Sequence, residues 1–296
     1  MSPALGGAEV AVAVQLACVL EVSAAKPGNV SPVAPFHDAS YEDFLASALA
    51  IGPAFAAAGE RPLGVTIRAA VEATAHWVPS NTNLGLVLLL APLARAARRA
   101  GAAPLRAKLA ATLAETTLAD AADAYVAIRL AAPAGLGRAP EQDVSAPPTV
   151  ALRAAMALAA DRDAIAREYA TDFRTTFETA APTLARARGD GLGWGAATLE
   201  TYLTLLAAVP DTHIARKLGS AAAATVQAQA GAVVAAGGVR SAAGRAAIAA
   251  LDRALRDPQH TMNPGATADL TAAAILVVLL QGGWPSSHSR AEHGPA

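Results

Sequence analysis

No stretch of this chain sustains the alternation of apolar and polar residues that marks a half-buried strand, and its long apolar runs are built of alanine and leucine. Alanine loses no side-chain entropy in a helix, so such runs favour helix over strand. The hydrophobic fraction is 54% and the charged fraction 16%, which excludes a disordered chain. Only 4% of residues are aromatic, so small aliphatic side chains must fill the core. A chain of 296 residues can bury roughly 75% of its unfolded surface, enough for one core without staples. These constraints predict an all-α fold: a single multi-helix globular domain over 1–296, with loose tails at about 1–6 and 285–296.

Caps and breakers divide the chain into helices. Ser40 and Asp43 nearly form a capping box before a helix over 41–58, kinked at Gly52-Pro53. Leu63–Trp77 follows, then 84–100 with Pro92 as a kink and Gly101 as its cap, 104–114 and 117–130. Residues 131–148 hold Pro133, Gly135, Gly137, Pro140, Pro147 and Pro148, a loop that reads equally as a functional lid or a surface excursion. Further helices are predicted at 149–160, 163–179, 195–208, 212–218, 220–236, 238–256 and 267–281. The most apolar runs, 84–93 and 270–280, fall short of the ~20 residues that span a bilayer and read as buried core helices.

The formal net charge of -1 gives no basic excess, which argues against nucleic acid or an anionic membrane as partner. Arg95, Arg98 and Arg99 suit a helix C-terminus. The single cysteine, Cys18, lies in an apolar helical stretch and reads as a small buried hydrophobe in a reducing compartment. The N-terminus lacks a basic segment before its apolar residues, so a cytoplasmic location is expected.

Four polar strings interrupt this apolar chain at predicted helix ends, where backbone N–H or C=O groups lack partners. Together they suggest a polar cleft formed by helix ends. In Lys26-Pro27-Gly28-Asn29 the turn could hold an ammonium and N–H groups against a phosphate, or could be a simple turn with a solvated lysine. Asn81-Thr82-Asn83-Leu84-Gly85 has more polar side chains than one cap requires; the surplus suits a sugar or a base edge. In the string from Asp211 to Lys217, Asp211 is a good N-cap, while His213 and Lys217 share a helix face, where an anion would relieve their repulsion. His213 could serve as an acid or base at neutral pH, or be merely solvated. Asn263-Pro264-Gly265 feeds a helix that Thr267 could cap, a ready anion site. Asp269 in its first turn could support the dipole or ligate Mg²⁺ beside phosphates.

Glu21, just before the Lys26 turn, could complete a metal site, as could Asp120, Asp123, Asp143, Asp161 or Asp163. No His/Cys set has zinc spacing, and His37, His76, His260, His288 and His293 are scattered. Neither a nucleophile elbow nor a dinucleotide fingerprint occurs.

In this order the four strings resemble those of the triphosphoribosyl-dephospho-CoA synthase family, from about Glu21 to Leu270. The family's Lys-Pro-Gly matches Lys26-Pro27-Gly28. Its Asn-Thr-His-Lys-Gly corresponds to the string at 81–85, with Asn83 and Leu84 in place of His and Lys. Its Asp-Thr-Asn corresponds to Asp211-Thr212-His213, and its Pro-Gly-Gly-Ser/Ala-Asp-Leu to the string at 264–270. The departures mark a divergent branch. The resemblance implies a helical, Mg²⁺-dependent transferase in coenzyme biosynthesis that uses ATP as triphosphoribosyl donor to dephospho-CoA and releases adenine. It also implies site roles: Lys26, Gly28, Asn29, Lys217, Asn263, Gly265 and Thr267 for phosphate, and Asn81, Thr82 and Asn83 for base or ribose. Asp211, His213 and Asp269 would be catalytic, with Asp269, Asp211 and Glu21 toward Mg²⁺. A homo-oligomer is compatible with all of this. Two rivals stand beside it: the same fold acting on another nucleotide or acceptor, for example in one-carbon coenzyme biosynthesis, and a non-catalytic helical scaffold.

Overall fold

The computed structural model describes residues 5–284, so the tail expected at 285–296, with His288 and His293, lies outside the described residues. Fifteen α-helices order the described chain: α1 (Gly7–Ser23), α2 (Tyr41–Ala50), α3 (Gly52–Ala56), α4 (Leu63–Trp77), α5 (Leu84–Ala97), α6 (Leu105–Ala114), α7 (Leu118–Ala131), α8 (Leu152–Ala157), α9 (Ala164–Ala170), α10 (Ala181–Gly189), α11 (Trp194–Ala208), α12 (Thr212–Leu218), α13 (Ser220–Ala235), α14 (Ala242–Leu255) and α15 (Gly265–Leu280). No strand occurs among the described residues, only one antiparallel bridge between Ser31 and Ala34. The all-α expectation is borne out.

The main core is built on α5 and α15, packed against each other and against α1. Both are apolar around their circumference, which only a fully enclosed helix tolerates. From Leu86 to Leu93 every residue of α5 is buried, and so is every residue of α15 from Leu270 to Val278. Pro92 is accommodated inside α5 rather than ending it. Proline removes the N–H that would bond the carbonyl of Leu88; the buried hydroxyl of Tyr169 donates to that carbonyl instead, at 2.6 Å.

A smaller apolar cluster joins α11, α12, α13 and α14 around Tyr202, Leu206, Ile214, Val226 and Leu255. The segment Ser220–Arg240 is long and apolar enough, by length and composition, to cross a membrane, although only 22% of its most apolar window is buried. Its alanines raise the hydropathy without offering large side chains, and Ala223, Val226, Ala230 and Val233 pack into the smaller cluster.

The predicted boundaries hold best where caps act. Ser40 and Thr117 accept from Asp43 and Asp120 in reciprocal capping boxes, and the break at Gly52-Pro53 separates α2 from α3. The single helix expected over 163–179 does not form. α9 stops at Ala170, the chain passes through left-handed Asp172 and Phe173, and a π-helical turn, Thr176–Ala180, leads into α10. The cause is Glu168, a fully buried carboxylate that accepts from the N–H groups of Thr175 and Thr176 and so staples the reversal. α10 was not expected from the sequence; Pro182 sits in its first turn, directly after the π-helical turn.

Candidate active site

The starts of α5, α9, α12 and α15 surround one cavity of about 990 Å³, near the upper end of roughly 300–1,000 Å³ for small-molecule sites. Glu21, Lys26, Asn29, Asn81, Thr82, Asn83, Gly85, His213, Asn263, Gly265 and Asp269 all line it. Asp211, Lys217, Gly28 and Thr267 do not.

Asp211 sits behind the wall and is saturated. One oxygen caps α12, accepting from the N–H groups of His213 and Ile214 at 2.8 and 3.0 Å. The other accepts from the N–H and the hydroxyl of Thr267, both at 2.7 Å. This corrects two sequence readings. Thr267 is not the cap of α15 but a donor to Asp211, and the anion that meets the start of α15 is an internal carboxylate rather than a phosphate. With four bonds already made, Asp211 has no lone pair to offer Mg²⁺ or a substrate.

Asp269, one turn further into α15, is the opposite case. Its carboxylate accepts no hydrogen bond from any described residue and faces the cavity. Burial, then the neighbouring carboxylates of Glu21, Asp211 and Asp163, push its pKa well above the ordinary value, while Arg216 pulls the other way. Its position depends on Gly85: a Cβ there would fall inside the Asp269 carboxylate and within 2.8 Å of Ile165 Cδ1. Gly265 plays the same part for His213, since a Cβ at Gly265 would overlap the imidazole at Nδ1. Burial, Lys217 and Arg216 together depress the His213 pKa to about 3, so the imidazole is neutral at pH 7, not the half-titrated acid or base that an unperturbed histidine suggests.

Lys26 is also corrected. It is buried, not a mobile or solvated charge. Its ammonium donates to the carbonyl oxygens of Glu21 and Ala24 and stands 2.9 Å from Glu21 Oε1. That approach is off the line of a directed hydrogen bond, so Oε1 keeps an unfilled lone pair in a buried place. Asn29 donates to Pro27 O and Tyr202 Oη, and the Gly28 N–H donates to Asp252 of α14. The Lys26 turn therefore ties the two apolar clusters together. Lys217 reaches the carbonyl of His260 at 3.4 Å and is held below its usual pKa by burial and by Arg216.

The second string divides as well. Asn83 is buried and donates to Thr74, and Thr82 shares a hydrogen bond with Ser47. Asn81 is exposed to the cavity, its Oδ1 accepting from the Leu84 N–H. Asn263 Oδ1 is buried without a partner.

Two arginines of the lining were not singled out by sequence. Arg216 donates to Ala134 O at 3.0 Å and faces Asp163 at 3.5 Å. Arg162 is exposed, and its guanidinium makes no hydrogen bond or ion pair among the described residues. The signal was their place: Arg162 stands beside the N-cap Asp163, and Arg216 lies within the His213 string. Cys18, in contrast, is buried with its thiol pKa raised by burial, as a structural cysteine should be. No group of three or more His, Cys, Asp or Glu side chains has metal-binding geometry among the described residues. Mg²⁺ does not require one, since it binds through one or two carboxylates plus substrate phosphates. Asp269 fits that role; Asp211 does not, and Glu21 Oε1 is buried against the Lys26 ammonium.

Residues 7–288 match the model of the CitG family, described as ATP:dephospho-CoA triphosphoribosyl transferase. A probable 2-(5''-triphosphoribosyl)-3'-dephosphocoenzyme-A synthase of Pseudomonas paraeruginosa is 38% identical over 109 residues, 36% of each chain. The synthase of that name from Klebsiella pneumoniae is 35% identical over 98 residues, 33% of this chain and 34% of its own. The chain thus spans about a third of the length of these curated relatives. A solved structure from Archaeoglobus fulgidus, provisionally assigned as a triphosphoribosyl-dephospho-CoA synthase, superposes with a TM-score of 0.63 at 27% identity, covering 80% of this chain and 99% of that one. With a family match over nearly the whole sequence and a solved relative of the same architecture, the chain belongs to the CitG family of ATP:dephospho-CoA triphosphoribosyl transferases.

Proposed function

We propose that this chain transfers the triphosphoribosyl group of ATP to the 2′-hydroxyl of dephospho-CoA. The acceptor oxygen bonds to C1 of the ATP ribose, the bond from C1 to the adenine nitrogen breaks, and the proton lost by the hydroxyl balances the one that the departing adenine takes up. The triphosphate stays on the transferred sugar. The observation that carries this reading is Asp269: an unpaired carboxylate, facing a cavity large enough for more than one nucleotide, in a chain of this family.

Each residue has a task in this scheme. Positive charge develops at C1 as adenine departs, and a fixed carboxylate such as Asp269 stabilises it in a site from which substrate excludes water. Arg162 and Arg216 hold phosphate groups; both line the cavity, and a guanidinium suits paired phosphate oxygens. Asn81 and Asn263 meet the base or ribose. His213 presents a neutral nitrogen that can accept the hydroxyl proton. Arg216 and Lys217 help to depress its pKa, and a bound triphosphate would neutralise them, so its basicity would rise once ATP is in place. Mg²⁺, held by Asp269 and the phosphates themselves, would neutralise phosphate charge. Lys26, Asp211 and Thr267 position this wall and do not touch substrate.

An altered acceptor is the second reading. It is favoured by Asn83 and Leu84, which stand where the family string has His and Lys and are both buried here. Purified protein incubated with ATP, dephospho-CoA and Mg²⁺ should release adenine in equimolar ratio to acceptor consumed, measured by chromatography. ATP binding without adenine release would favour the altered acceptor. Absence of nucleotide binding at millimolar concentration, with folded protein, would remove both enzyme readings and leave the scaffold.

A further inference from the structure

The cavity is chemically two-sided. Its polar lining comes from the starts of α5, α9, α12 and α15. A second wall comes from the end of α7, the loop over 132–151 and α8, and it is largely aliphatic, with Ile128, Leu136, Val144, Leu152, Met156 and Leu158. Two of these side chains are exposed: Leu136 is 43% and Leu158 48% accessible, although each lies in a concave wall. Aliphatic surface left wet inside a cavity is stabilised when a ligand covers it and removes it from water. The wall is also held in place. Tyr125 Oη donates to Gln142 O at 2.6 Å, Arg129 to Val144 O at 2.6 Å, and Gln142 exchanges two hydrogen bonds with Thr149. A pre-formed surface binds without the entropy cost of ordering it.

ATP has no use for such a wall. Triphosphate and ribose are polar throughout, and adenine alone does not fill an extended aliphatic surface. The acceptor does have an apolar part: the pantetheine arm of dephospho-CoA, a thin chain with a gem-dimethyl group and methylenes between two amides. Arg216 stands at the junction, in the cavity lining and bonded to Ala134 of the loop, with Gly135 packed on its Cγ. A diphosphate at Arg216 would hand its arm to the loop.

Building on the transferase reading, we infer that the wall made by the end of α7, the 132–151 loop and α8 is the subsite for the pantetheine arm, with Leu136 and Leu158 as its specificity-determining contacts. The loop is then the acceptor half of the site, and the amides of the arm meet its polar groups, among them Glu141 in the lining.

The test compares dephospho-CoA with ADP, the same adenosine diphosphate without the arm, by calorimetry. Wild-type protein should bind dephospho-CoA at least about tenfold more tightly than ADP. The double variant Leu136→Ser/Leu158→Ser should bind the two within about threefold, with ADP affinity unchanged. Both leucines are exposed, so the melting temperature should hold; if it falls, Leu158→Gln alone gives the same reading at smaller size. Equal wild-type affinities, a ratio that survives the substitutions, or undetectable binding of both ligands each overturns the subsite. Adenine release is scored separately. Arm-dependent binding without release would leave the subsite standing and sink the reaction, whereas release without arm dependence would do the reverse.

Discussion

Two aspartates near the start of α15 live in opposite conditions. Asp211 belongs to a saturated node that joins α12 to α15, with four donors on its two oxygens. Asp269 belongs to a wall where glycine at 85 makes room for its carboxylate and no described residue supplies a donor. Both are raised in pKa with burial as the leading cause, yet Asp211 is partly compensated by its bonds and Asp269 is pushed further by other acids. The difference teaches how to separate architecture from chemistry among motif residues. A buried polar group with all its partners is doing what folding requires. One without partners, facing a cavity, is held at a cost that only a ligand relieves.

The largest expected effect is therefore on Asp269→Asn. Removing the charge should lower single-turnover adenine release by about a thousandfold, the scale of losing one pre-organised electrostatic contact. The melting temperature should stay level or rise, because a desolvated, unpaired charge disappears. Gly85→Ala comes next. Its methyl must displace the Asp269 carboxylate, and misplacing a reacting group by about 1 Å costs roughly a hundredfold in rate. Asp211→Asn should show the reverse pattern. An amide accepts at one end only, so either the α12 N–H groups or Thr267 lose their acceptor; about 1–3 kcal/mol of stability is lost by denaturant unfolding, with ATP affinity kept in the folded fraction. If Asp211→Asn and Asp269→Asn behaved alike in both assays, the distinction between node and wall would collapse.

Much of this fold was legible in the sequence because its signals are local. Leu63–Trp77 and Thr212–Leu218 are bounded by prolines and a good cap, and their limits emerge from short-range chemistry. The reversal at Asp172 was not legible, because its cause is a carboxylate at Glu168 reaching forward to N–H groups that a continuous helix would have used. Within the site, the four strings named the right neighbourhood and several wrong roles. Lysine in a Pro-Gly turn suggests a mobile cation, and nothing local reveals that Glu21, five residues back in α1, pairs with it in a buried place. Thr267 has the composition of a cap, but its partner lies at position 211, and only the tertiary structure brings that carboxylate to it. Arg162 and Leu158 carried no motif at all; their position on the lining is a property of the assembled cavity.

The smallest effect is a pH slope, and it tests the same contrast without catalysis. The folded-state pKa of Asp269 lies well above its ordinary 3.8. From about pH 3.8 up to that raised value, the native state keeps a proton that the unfolded chain has released. Stability then falls as pH rises through this window, and the penalty is complete above it. His213 has the opposite sign. Its folded-state pKa is about 3 against an ordinary 6.5, so between pH 3 and 6.5 the unfolded chain binds a proton that the native state refuses. Its contribution is whole above pH 6.5 and is lost as pH falls. Each slope is limited to about 1.4 kcal/mol per pH unit. Denaturant unfolding of wild type and of Asp269→Asn, from pH 4 upward, should show the variant gaining relative stability as pH rises. His213→Gln should instead lose its disadvantage as pH falls below 6.5. Asp211, also raised, is present in all three proteins and cancels in the differences. A flat difference for Asp269→Asn would mean that its carboxylate is fully compensated in the empty site, and the case for it as the charge that awaits substrate would fail.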